Sequence, residues 1–100
     1  MNIAIDFDKT WTRDPWFWRN FSLTCKLNNY KLYIVTRRSA NDELQRLDND
    51  IDDEPIIYCN GEFKRLHCER LGIKIDIWID DEPGTIEPQR LPNPCPDSLL

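Results

Sequence analysis

Short apolar segments alternate with amphipathic ones along this chain, and the alternation predicts its secondary structure. The apolar segments are typical of buried strands because they are brief and bounded by polar residues. The first begins at Asn2, and the others cover Lys31–Thr36, Ile56–Cys59 and Ile73–Ile79. Three helices are predicted between them, from Pro15 to about Leu27, after Ser39, and over Glu62–Leu71. This order predicts an α/β fold with a parallel sheet and right-handed crossovers.

Local signals mark where the predicted helices begin and end. Asp14 before Pro15 is typical of an N-cap followed by the first helical residue. Ser39 and Asp42 match a capping-box pattern at the start of the second helix. Its narrow apolar stripe consists of Leu44, Leu47 and Ile51. Gly72 suits the position just after the C-terminus of the third helix.

The first helix is dense in aromatic residues, which favours a role in core packing. Phe17, Phe21 and Cys25 are spaced by four and define its apolar side. The alternative is a stacking surface for a base or a sugar, because tryptophans follow closely after the acidic end of the first strand. These are Trp11, Trp16 and Trp18.

The first strand ends in two aspartates on one face. Successive strand residues point to opposite sides, so Ile3, Ile5 and Phe7 share one face while Asp6 and Asp8 share the other. Two carboxylates at the end of a core strand are costly to bury unless a cation or a proton offsets their repulsion. This indicates a metal site. The alternative is an acidic turn that closes an ordinary strand.

Polar side chains also end the second and fourth strands. Thr36 ends the second, and Asp80 and Asp81 follow the fourth. Lys64 lies in the first turn of the third helix, where the helix dipole disfavours a cation, so an anion nearby is expected. In parallel sheets the carboxyl ends of the strands meet at one edge, near a topological switch point. We therefore expect these groups to gather with Asp6.

Oxygen ligands without clustered histidine or cysteine favour a hard cation, and Mg²⁺ typically binds one or two carboxylates, waters and phosphate oxygens. The acidic residues from Asp48 to Glu54 do not match a calcium loop, which needs a glycine and a distal glutamate at fixed places. A zinc site with Cys59, His67 and Cys68 is a weaker alternative, because adjacent residues on a helix point in different directions.

This set of residues suits phosphoryl transfer. An aspartate can attack phosphorus to form an aspartyl-phosphate. A second aspartate two residues on can protonate the leaving alkoxide and later deprotonate the attacking water. Lysine and Mg²⁺ can balance the charge on the transferring phosphoryl oxygens.

The motifs resemble those of the haloacid-dehalogenase-like hydrolase superfamily, and the resemblance covers Asn2 to Pro83. Asp6-Phe7-Asp8-Lys9-Thr10 is similar to its D-x-D-x-T signature. Tyr33-Ile34-Val35-Thr36 is similar to the second motif, an apolar strand ending in a hydroxyl residue. Lys64 fits the third motif, and Ile77-Trp78-Ile79-Asp80-Asp81 fits the fourth. All four motifs occur in order at predicted strand ends. The resemblance implies a three-layer α/β/α, Rossmann-like parallel sheet.

The resemblance also implies a role for each motif residue. Asp6 is expected to be the nucleophile and a metal ligand, and Asp8 the general acid/base, which would bind the metal through its carbonyl. Thr36 and Lys64 are expected to hold the phosphoryl group, with Lys74 and Arg65 as alternatives to Lys64. Asp81 is favoured as the direct metal ligand, with Asp80 close by or linked through water. Candidate substrate-binding residues are Lys9, Thr10 and Arg37, and Lys9 stands where many relatives carry glycine.

The spacing of the motifs leaves no room for a cap domain. One loop and one helix fit between Thr10 and Lys31, and one helix and one strand fit between Thr36 and Lys64. The chain therefore resembles the uncapped class, whose open site suits a large substrate unless another subunit of a homo-oligomer forms a lid. A phosphorylated protein, a nucleotide or a polynucleotide end is expected.

Composition narrows the class of protein. One hundred residues predict a single domain over 1–100, with a proline-rich and irregular tail over 83–100. A net charge of −5 disfavours broad nucleic-acid binding, although Lys9, Arg13, Arg37 and Arg38 can form a local basic rim. No membrane-spanning segment or export signal is visible. The four cysteines lack paired spacing, so free thiols and a cytoplasmic location are expected.

Three hypotheses remain at this point. The first is a Mg²⁺-dependent phosphomonoester hydrolase. The second is a non-catalytic module that keeps the metal or phosphate pocket, and it is disfavoured because both aspartates of the first motif are present. The third is a structural protein whose acidic strand ends are incidental.

Overall fold

A four-stranded sheet in which all neighbouring strands are parallel forms the centre of the fold. The computed structural model describes residues 1–42 and 51–88. Its strands are β1 (Asn2–Ile5), β2 (Lys31–Thr36), β3 (Ile56–Tyr58) and β4 (Ile77–Ile79), and its helices are α1 (Pro15–Leu27) and α2 (Lys64–Arg70). The predicted α/β fold with a parallel sheet is confirmed.

The strand order is β3-β2-β1-β4, which places β1 between two neighbours. Ile5 at the end of β1 lies opposite Ile34 of β2 and Ile79 of β4. After β1 the chain enters β2 on one side, whereas β4 returns to the other side. The carboxyl ends of β1 and β4 therefore flank a topological switch point, where ligands of parallel sheets bind.

The two faces of β1 contribute to different hydrophobic clusters, as its side-chain alternation predicts. Ile3, Ile5 and Phe7 belong to one cluster, which includes Cys25 of α1. Ala4 belongs to the other, which includes Cys68 of α2. Because Ile5 and Ala4 are at most 1% exposed, β1 is buried on both faces. This is the usual condition of a central parallel strand.

The predicted bounds of α1 and β2 agree with the structure. Asp14 caps α1 by accepting a hydrogen bond of 3.2 Å from the backbone N–H of Phe17. The third predicted strand ends one residue early, at Tyr58. The predicted helix over Glu62–Leu71 begins late, at Lys64, because the preceding Phe63 has an extended backbone.

The prediction for the fourth strand is wrong over 73–76. Ile73 donates its backbone N–H to Cys68 of α2, and Asp76 donates to Asn2. These residues therefore complete the turn out of α2 and lead into the sheet, and only Ile77–Ile79 forms strand hydrogen bonds. The alternating isoleucines remain useful for packing, since Ile75 is buried in the core.

The second predicted helix falls largely outside the described residues, as do Leu44 and Leu47 of its apolar stripe. The segment Ala40–Asp42 forms a short 3-10 turn, and the Ser39 hydroxyl accepts a hydrogen bond from the N–H of Asn41. The proline-rich tail is described only to residue 88. There Pro83–Thr85 forms a 3-10 turn, and Ile86 accepts a hydrogen bond from the N–H of Arg65.

The helices and the cysteines bear on the predictions that the chain has no membrane-spanning segment and that its thiols are free. Among residues 1–42 and 51–88, no helix has the length and apolar character needed to cross a membrane. Cys25, Cys59 and Cys68 are buried free thiols, and Cys95 lies outside the described residues.

Replacing Asp14 with alanine is expected to lower the free energy of unfolding by about 1 kcal/mol, the usual cost of losing an N-cap side chain. Urea denaturation followed by circular dichroism measures this change. Asp14→Asn is the matched control, because asparagine keeps a side-chain acceptor for the Phe17 N–H. Equal stability of Asp14→Ala and the wild type would contradict the capping role.

Candidate functional site

Three carboxylates meet at the carboxyl ends of β1 and β4. Asp6 follows β1 and donates its backbone N–H to the carbonyl of Ile79 at 2.9 Å, which ties the two strand ends together. Asp80 and Asp81 follow β4 directly. Each aspartate offers a carboxylate oxygen, and these oxygens lie within 4.8 Å of one another. Because the oxygens are this close, the group could hold a metal ion. Asp6 is buried, Asp80 is partly buried and Asp81 is exposed.

The ammonium of Lys64 joins two of these carboxylates. Its Nζ donates hydrogen bonds to Asp6 Oδ1 at 2.7 Å and to Asp80 Oδ2 at 2.6 Å. Lys64 is only 2% exposed. Burying an isolated charge is very costly, so a buried lysine needs anionic partners of this kind. The anion expected from the position of Lys64 in the first turn of α2 is therefore this acidic pair.

The two alternatives to Lys64 lie elsewhere. The guanidinium of Arg65 is 5.5 Å from the centroid of the Trp78 ring, and its Nε is 3.1 Å from a carboxylate oxygen of Glu87. Lys74 lines a separate cleft with Trp78, and its carbonyl accepts a hydrogen bond from the Asn2 side chain. Of the three basic residues, Lys64 is the one in contact with the acidic cluster.

The hydroxyl of Thr10 connects the buried and the exposed aspartate. Its Oγ1 lies 3.4 Å from Asp6 Oδ2 and 3.2 Å from Asp81 Oδ1. The carbonyl of Thr10 accepts a hydrogen bond of 2.9 Å from the indole N–H of Trp18. The predicted substrate-binding Thr10 thus contacts the acids themselves, and it links them to the aromatic residues of α1.

The charge of Asp6 depends on this environment. Burial raises the pKa of Asp6 to about 6, Lys64 opposes this rise, and the contact with Asp81 adds to it. The contact with Asp6 lowers the pKa of Asp81, and the Thr10 hydroxyl acts in the same direction. At neutral pH the cluster therefore holds ionised carboxylates at close range, which is the condition that a bound cation relieves.

The carboxylate of Asp8 forms an ion pair with an arginine. Arg38 donates two hydrogen bonds to the Asp8 carboxylate, at 2.9 and 2.8 Å. The guanidinium of Arg38 also lies 5.7 Å from the centroid of the Phe7 ring. The metal contact expected of Asp8 uses its backbone carbonyl, and that expectation stays a prediction.

Arg37, the predicted substrate-binding arginine, makes different contacts. Its Nε donates to the carbonyl of Gly61 at 3.1 Å, its terminal nitrogen contacts the same oxygen, and its guanidinium lies 5.7 Å from the centroid of the Phe63 ring. Arg37 and Arg38 both follow β2, and only the fold decides which one faces Asp8. The sequence predicts Arg38 in a basic rim but not in the site.

Thr36 and Lys9 line the same cleft as the acids. Thr36 is 1% exposed at the end of β2, and its hydroxyl accepts a hydrogen bond of 3.1 Å from the N–H of Arg38. Lys9 is exposed and has a φ of 65°, a conformation that glycine adopts with less strain. This φ agrees with the glycine that the sequence resemblance leads one to expect at this position.

The cleft that contains these groups has a volume of about 370 Å³. Besides Arg38, two residues that line it were not predicted as site residues, Glu82 and Thr85. The Thr85 hydroxyl lies 3.4 Å from Asp80 Oδ2, and the backbone N–H of Glu82 donates to Asp80 Oδ1 at 2.9 Å. Both lie after β4, where the sequence indicates only an irregular segment. The predicted residues that line the cleft are Asp6, Asp8, Lys9, Thr36, Arg37, Lys64, Asp80 and Asp81.

The alternative zinc site is not supported by the contacts of its histidine. His67 Nδ1 lies 2.8 Å from a carboxylate oxygen of Glu62, with which it forms a local pair. Within residues 1–42 and 51–88, the group of potential metal ligands is Asp6, Asp80 and Asp81.

Comparison with protein-family models, with curated proteins and with solved structures finds no significant match.

Replacing Lys64 with methionine is expected to lower the free energy of unfolding by roughly 3 kcal/mol or more at pH 7.5, because it leaves two buried or partly buried carboxylates without their cation. The loss should be smaller at pH 5. Because the pKa of Asp6 is raised to about 6, the stability linked to its protonated form is greatest at low pH and falls as the pH rises through 6. Below pH 6 the protonated Asp6 needs no cation.

Urea denaturation at the two pH values measures this difference. Arg19→Met is the control, since Arg19 forms an exposed ion pair with Asp52, whose loss should cost at most about 1 kcal/mol. A loss for Lys64→Met as small as that of the control, at both pH values, would contradict the structural role of the buried ammonium.

Proposed function

We propose that this protein is a Mg²⁺-dependent phosphomonoester hydrolase of the haloacid-dehalogenase-like type, which acts through an aspartyl-phosphate. The observation that carries the proposal is the contact of Lys64 with both Asp6 and Asp80 at the switch point of the sheet. It brings the first, third and fourth predicted motifs together in one cleft, which Asp8 and Thr36 also line.

The proposed nucleophile is a carboxylate oxygen of Asp6. At pH 7 this group is mostly ionised, because its pKa is raised only to about 6. In the first half-reaction the oxygen attacks phosphorus, the bond between phosphorus and the ester oxygen breaks, and the leaving alkoxide takes a proton from Asp8. In the second half-reaction water attacks the phosphorus of the aspartyl-phosphate, gives a proton to Asp8 and releases phosphate, which restores Asp6.

Asp8 can transfer a proton only if its pair with Arg38 opens. In the bidentate pair both carboxylate oxygens accept hydrogen bonds from the guanidinium. Arginine binds phosphate and carboxylate oxygens with the same fork of donors. Phosphoryl oxygens of the substrate would replace the Asp8 carboxylate on Arg38, and the released carboxylate would take up from solvent the proton that it then gives to the leaving alkoxide.

The residues present fit a magnesium ion. All the clustered donors are carboxylate oxygens, the kind of ligand that Mg²⁺ prefers. The three carboxylates and the ammonium have a formal charge of −2, which a divalent cation would neutralise. Asp6 and Asp81 would hold the ion, with Asp80 close by. When bound, it would offset the negative charge of the phosphoryl group as Asp6 approaches.

Thr36 and Lys64 are the proposed phosphoryl-binding residues. The Thr36 hydroxyl is buried at the end of β2 and lines the cleft, and the Lys64 ammonium is already aligned with Asp6. Lys9 and Arg37 line the outer part of the same cleft and would attract an anionic substrate.

The finer features of the family belong to the same proposal. They are a three-layer, Rossmann-like arrangement, an uncapped site open to a large phosphorylated substrate, and a homo-oligomer as a source of any lid. The distribution of Cys25 and Cys68 over two separate hydrophobic clusters supports helices on two faces of the sheet. Buried free thiols support a reducing compartment such as the cytoplasm.

A non-catalytic metal- or phosphate-binding module is the second candidate function. The observation that favours it is the Asp8–Arg38 pair, in which the proposed general acid acts as an acceptor. The two candidates differ in turnover, because a module whose pair stays closed binds phosphate without releasing an alcohol.

Mg²⁺ is expected to raise the melting temperature of the wild type at constant ionic strength. At a concentration tenfold above its dissociation constant, the stabilisation is roughly 1.4 kcal/mol, or several degrees for a domain of this size. The shift should be larger at pH 7.5 than at pH 5, because a proton on Asp6, whose pKa is about 6, competes with the ion.

Differential scanning fluorimetry measures the shift. Asp81→Asn should greatly reduce it, whereas Asp53→Asn, which removes an exposed carboxylate paired with Lys26, should leave it intact. The metal assignment fails if Mg²⁺ stabilises Asp81→Asn as much as the wild type.

Release of phosphate from an aryl phosphate with and without Mg²⁺ tests the enzymatic proposal. Asp6→Asn should abolish turnover while the far-ultraviolet circular dichroism stays native, because the amide cannot attack phosphorus. Asp8→Asn should slow turnover by about 10²-fold or more, the usual contribution of general acid/base catalysis. Asp53→Asn is again the control of matched charge. Normal turnover by Asp6→Asn would refute the nucleophile, and an unchanged rate in Asp8→Asn would refute the acid/base role.

A further inference from the structure

A second cleft opens next to the acidic cluster, with a volume of about 380 Å³. It shares Lys9, Asp80 and Asp81 with the first cleft, so the two are neighbours across these residues. Its far side is formed by Phe17 and Trp18 of α1. A ligand whose phosphoryl group occupies the first cleft would therefore place its leaving group towards an aromatic wall.

The aromatic wall is exposed yet held in place. Phe17 is 55% exposed, which is high for a large apolar residue, and it meets Trp18 edge-to-face with ring centroids 4.9 Å apart. Trp18 in turn meets Phe21 edge-to-face at 5.7 Å and donates its indole N–H to the carbonyl of Thr10. Since Thr10 contacts Asp6 and Asp81, the ring of Phe17 is positioned relative to the acids before any ligand binds.

Cations flank the wall. Lys9 and Arg13 line the second cleft, and both are exposed. Three carboxylates line it as well: Asp14 already caps α1 through the N–H of Phe17, and Asp80 and Asp81 lie on the border with the first cleft, where a divalent ion would offset their charge. An exposed aromatic face with two flanking cations suits a group that is planar and attached to anions, which is the combination that single nucleotides and nucleic-acid ends present.

The separation into two clefts favours a nucleotide over an aryl phosphate. In phosphotyrosine the ring is bonded directly to the ester oxygen, so it would occupy the first cleft with the phosphoryl group. In a nucleotide the ribose separates the phosphate from the base, which suits two neighbouring clefts that share Lys9, Asp80 and Asp81. An alkyl phosphate has no planar group to place there.

We propose that the cleft formed by Phe17, Trp18, Lys9 and Arg13 is the base-binding subsite of the active site, and that the substrate is a nucleotide phosphomonoester. The inference rests on the proposed function for the position of the phosphoryl group. The base stacks on Phe17, and Lys9 and Arg13 bind the phosphates or the ribose of the nucleotide.

Equilibrium binding tests the subsite separately from catalysis. Isothermal titration calorimetry with Mg²⁺ in the Asp6→Asn background avoids turnover, and the probes are AMP, glycerol phosphate, phosphotyrosine and a 5′-phosphorylated oligonucleotide. Adding Phe17→Ala should weaken AMP binding by on the order of tenfold, the loss typical of removing one base–aromatic stack. Binding of glycerol phosphate and phosphotyrosine should not change. Phe17→Tyr, which keeps a ring, should preserve AMP binding.

Trp16→Ala is the matched control. Trp16 is a neighbouring aromatic residue on α1 and is 66% exposed, but it does not line the cleft. It should leave the binding of all four probes unchanged. Phe17→Ala should weaken the binding of both AMP and the oligonucleotide. The probe that binds more tightly shows whether the substrate is a free nucleotide or a nucleic-acid end.

Two results would overturn the subsite: no AMP binding, or an equal effect of Phe17→Ala on AMP and glycerol phosphate. The Michaelis constants of the wild type and of Phe17→Ala, both with Asp6 intact, give a second measurement for the same compounds. If the wild type hydrolyses none of them while AMP binding still depends on Phe17, the proposed function fails and the subsite stands. If all the compounds are hydrolysed and Phe17→Ala changes none of the constants, the subsite fails and the proposed function stands.

Discussion

The buried ion pair of Lys64 with Asp6 and Asp80 is the constraint on which the site depends. Removing charges from water costs several kcal/mol per ion, and only close, hydrogen-bonded partners repay that cost. The contacts of 2.7 and 2.6 Å meet this condition. They also require that the ends of β1 and β4 be neighbours and that α2 begin beside them. The ion pairs of Lys64 thereby fix the start of α2 next to the ends of β1 and β4. Because the cluster has three carboxylates for one ammonium, it keeps an excess of negative charge.

The strand order brings further polar groups next to the ion pairs of Lys64. With β1 between β2 and β4, Asp6 lies between the hydroxyl of Thr36 and the acids that follow β4. A parallel sheet brings all strand ends to one edge, and the position of β1 between β2 and β4 puts the switch point at Asp6. The sequence predicted the shared edge from polar residues at strand ends. It could not predict which strands are adjacent, because that depends on packing between distant segments.

Local sequence signals predicted the bounds of an element best where a single interaction sets its start or end. Asp14 and Pro15 set the start of α1 through a cap and a fixed φ, and the bounds agree. The alternation from Ile73 to Ile79 predicted a longer β4, because alternation records burial and not strand pairing. The same limit applies to side chains. Lys64 and Arg65, or Arg37 and Arg38, are adjacent in sequence, and their different partners follow from tertiary contacts that no local pattern specifies.

Lys9 combines a strained backbone with a position on the border of the two clefts. For an L-residue, a φ of 65° costs roughly 1–2 kcal/mol, and such a conformation persists only where the surroundings determine it. Here the N–H of Lys9 donates to the Thr12 hydroxyl at 2.9 Å, which holds the turn between Asp8 and Thr10. A glycine would relieve the strain but would remove the cation that the two clefts share. The strained backbone of Lys9 thus places a cation on the border of the two clefts, where the proposed nucleotide would bind.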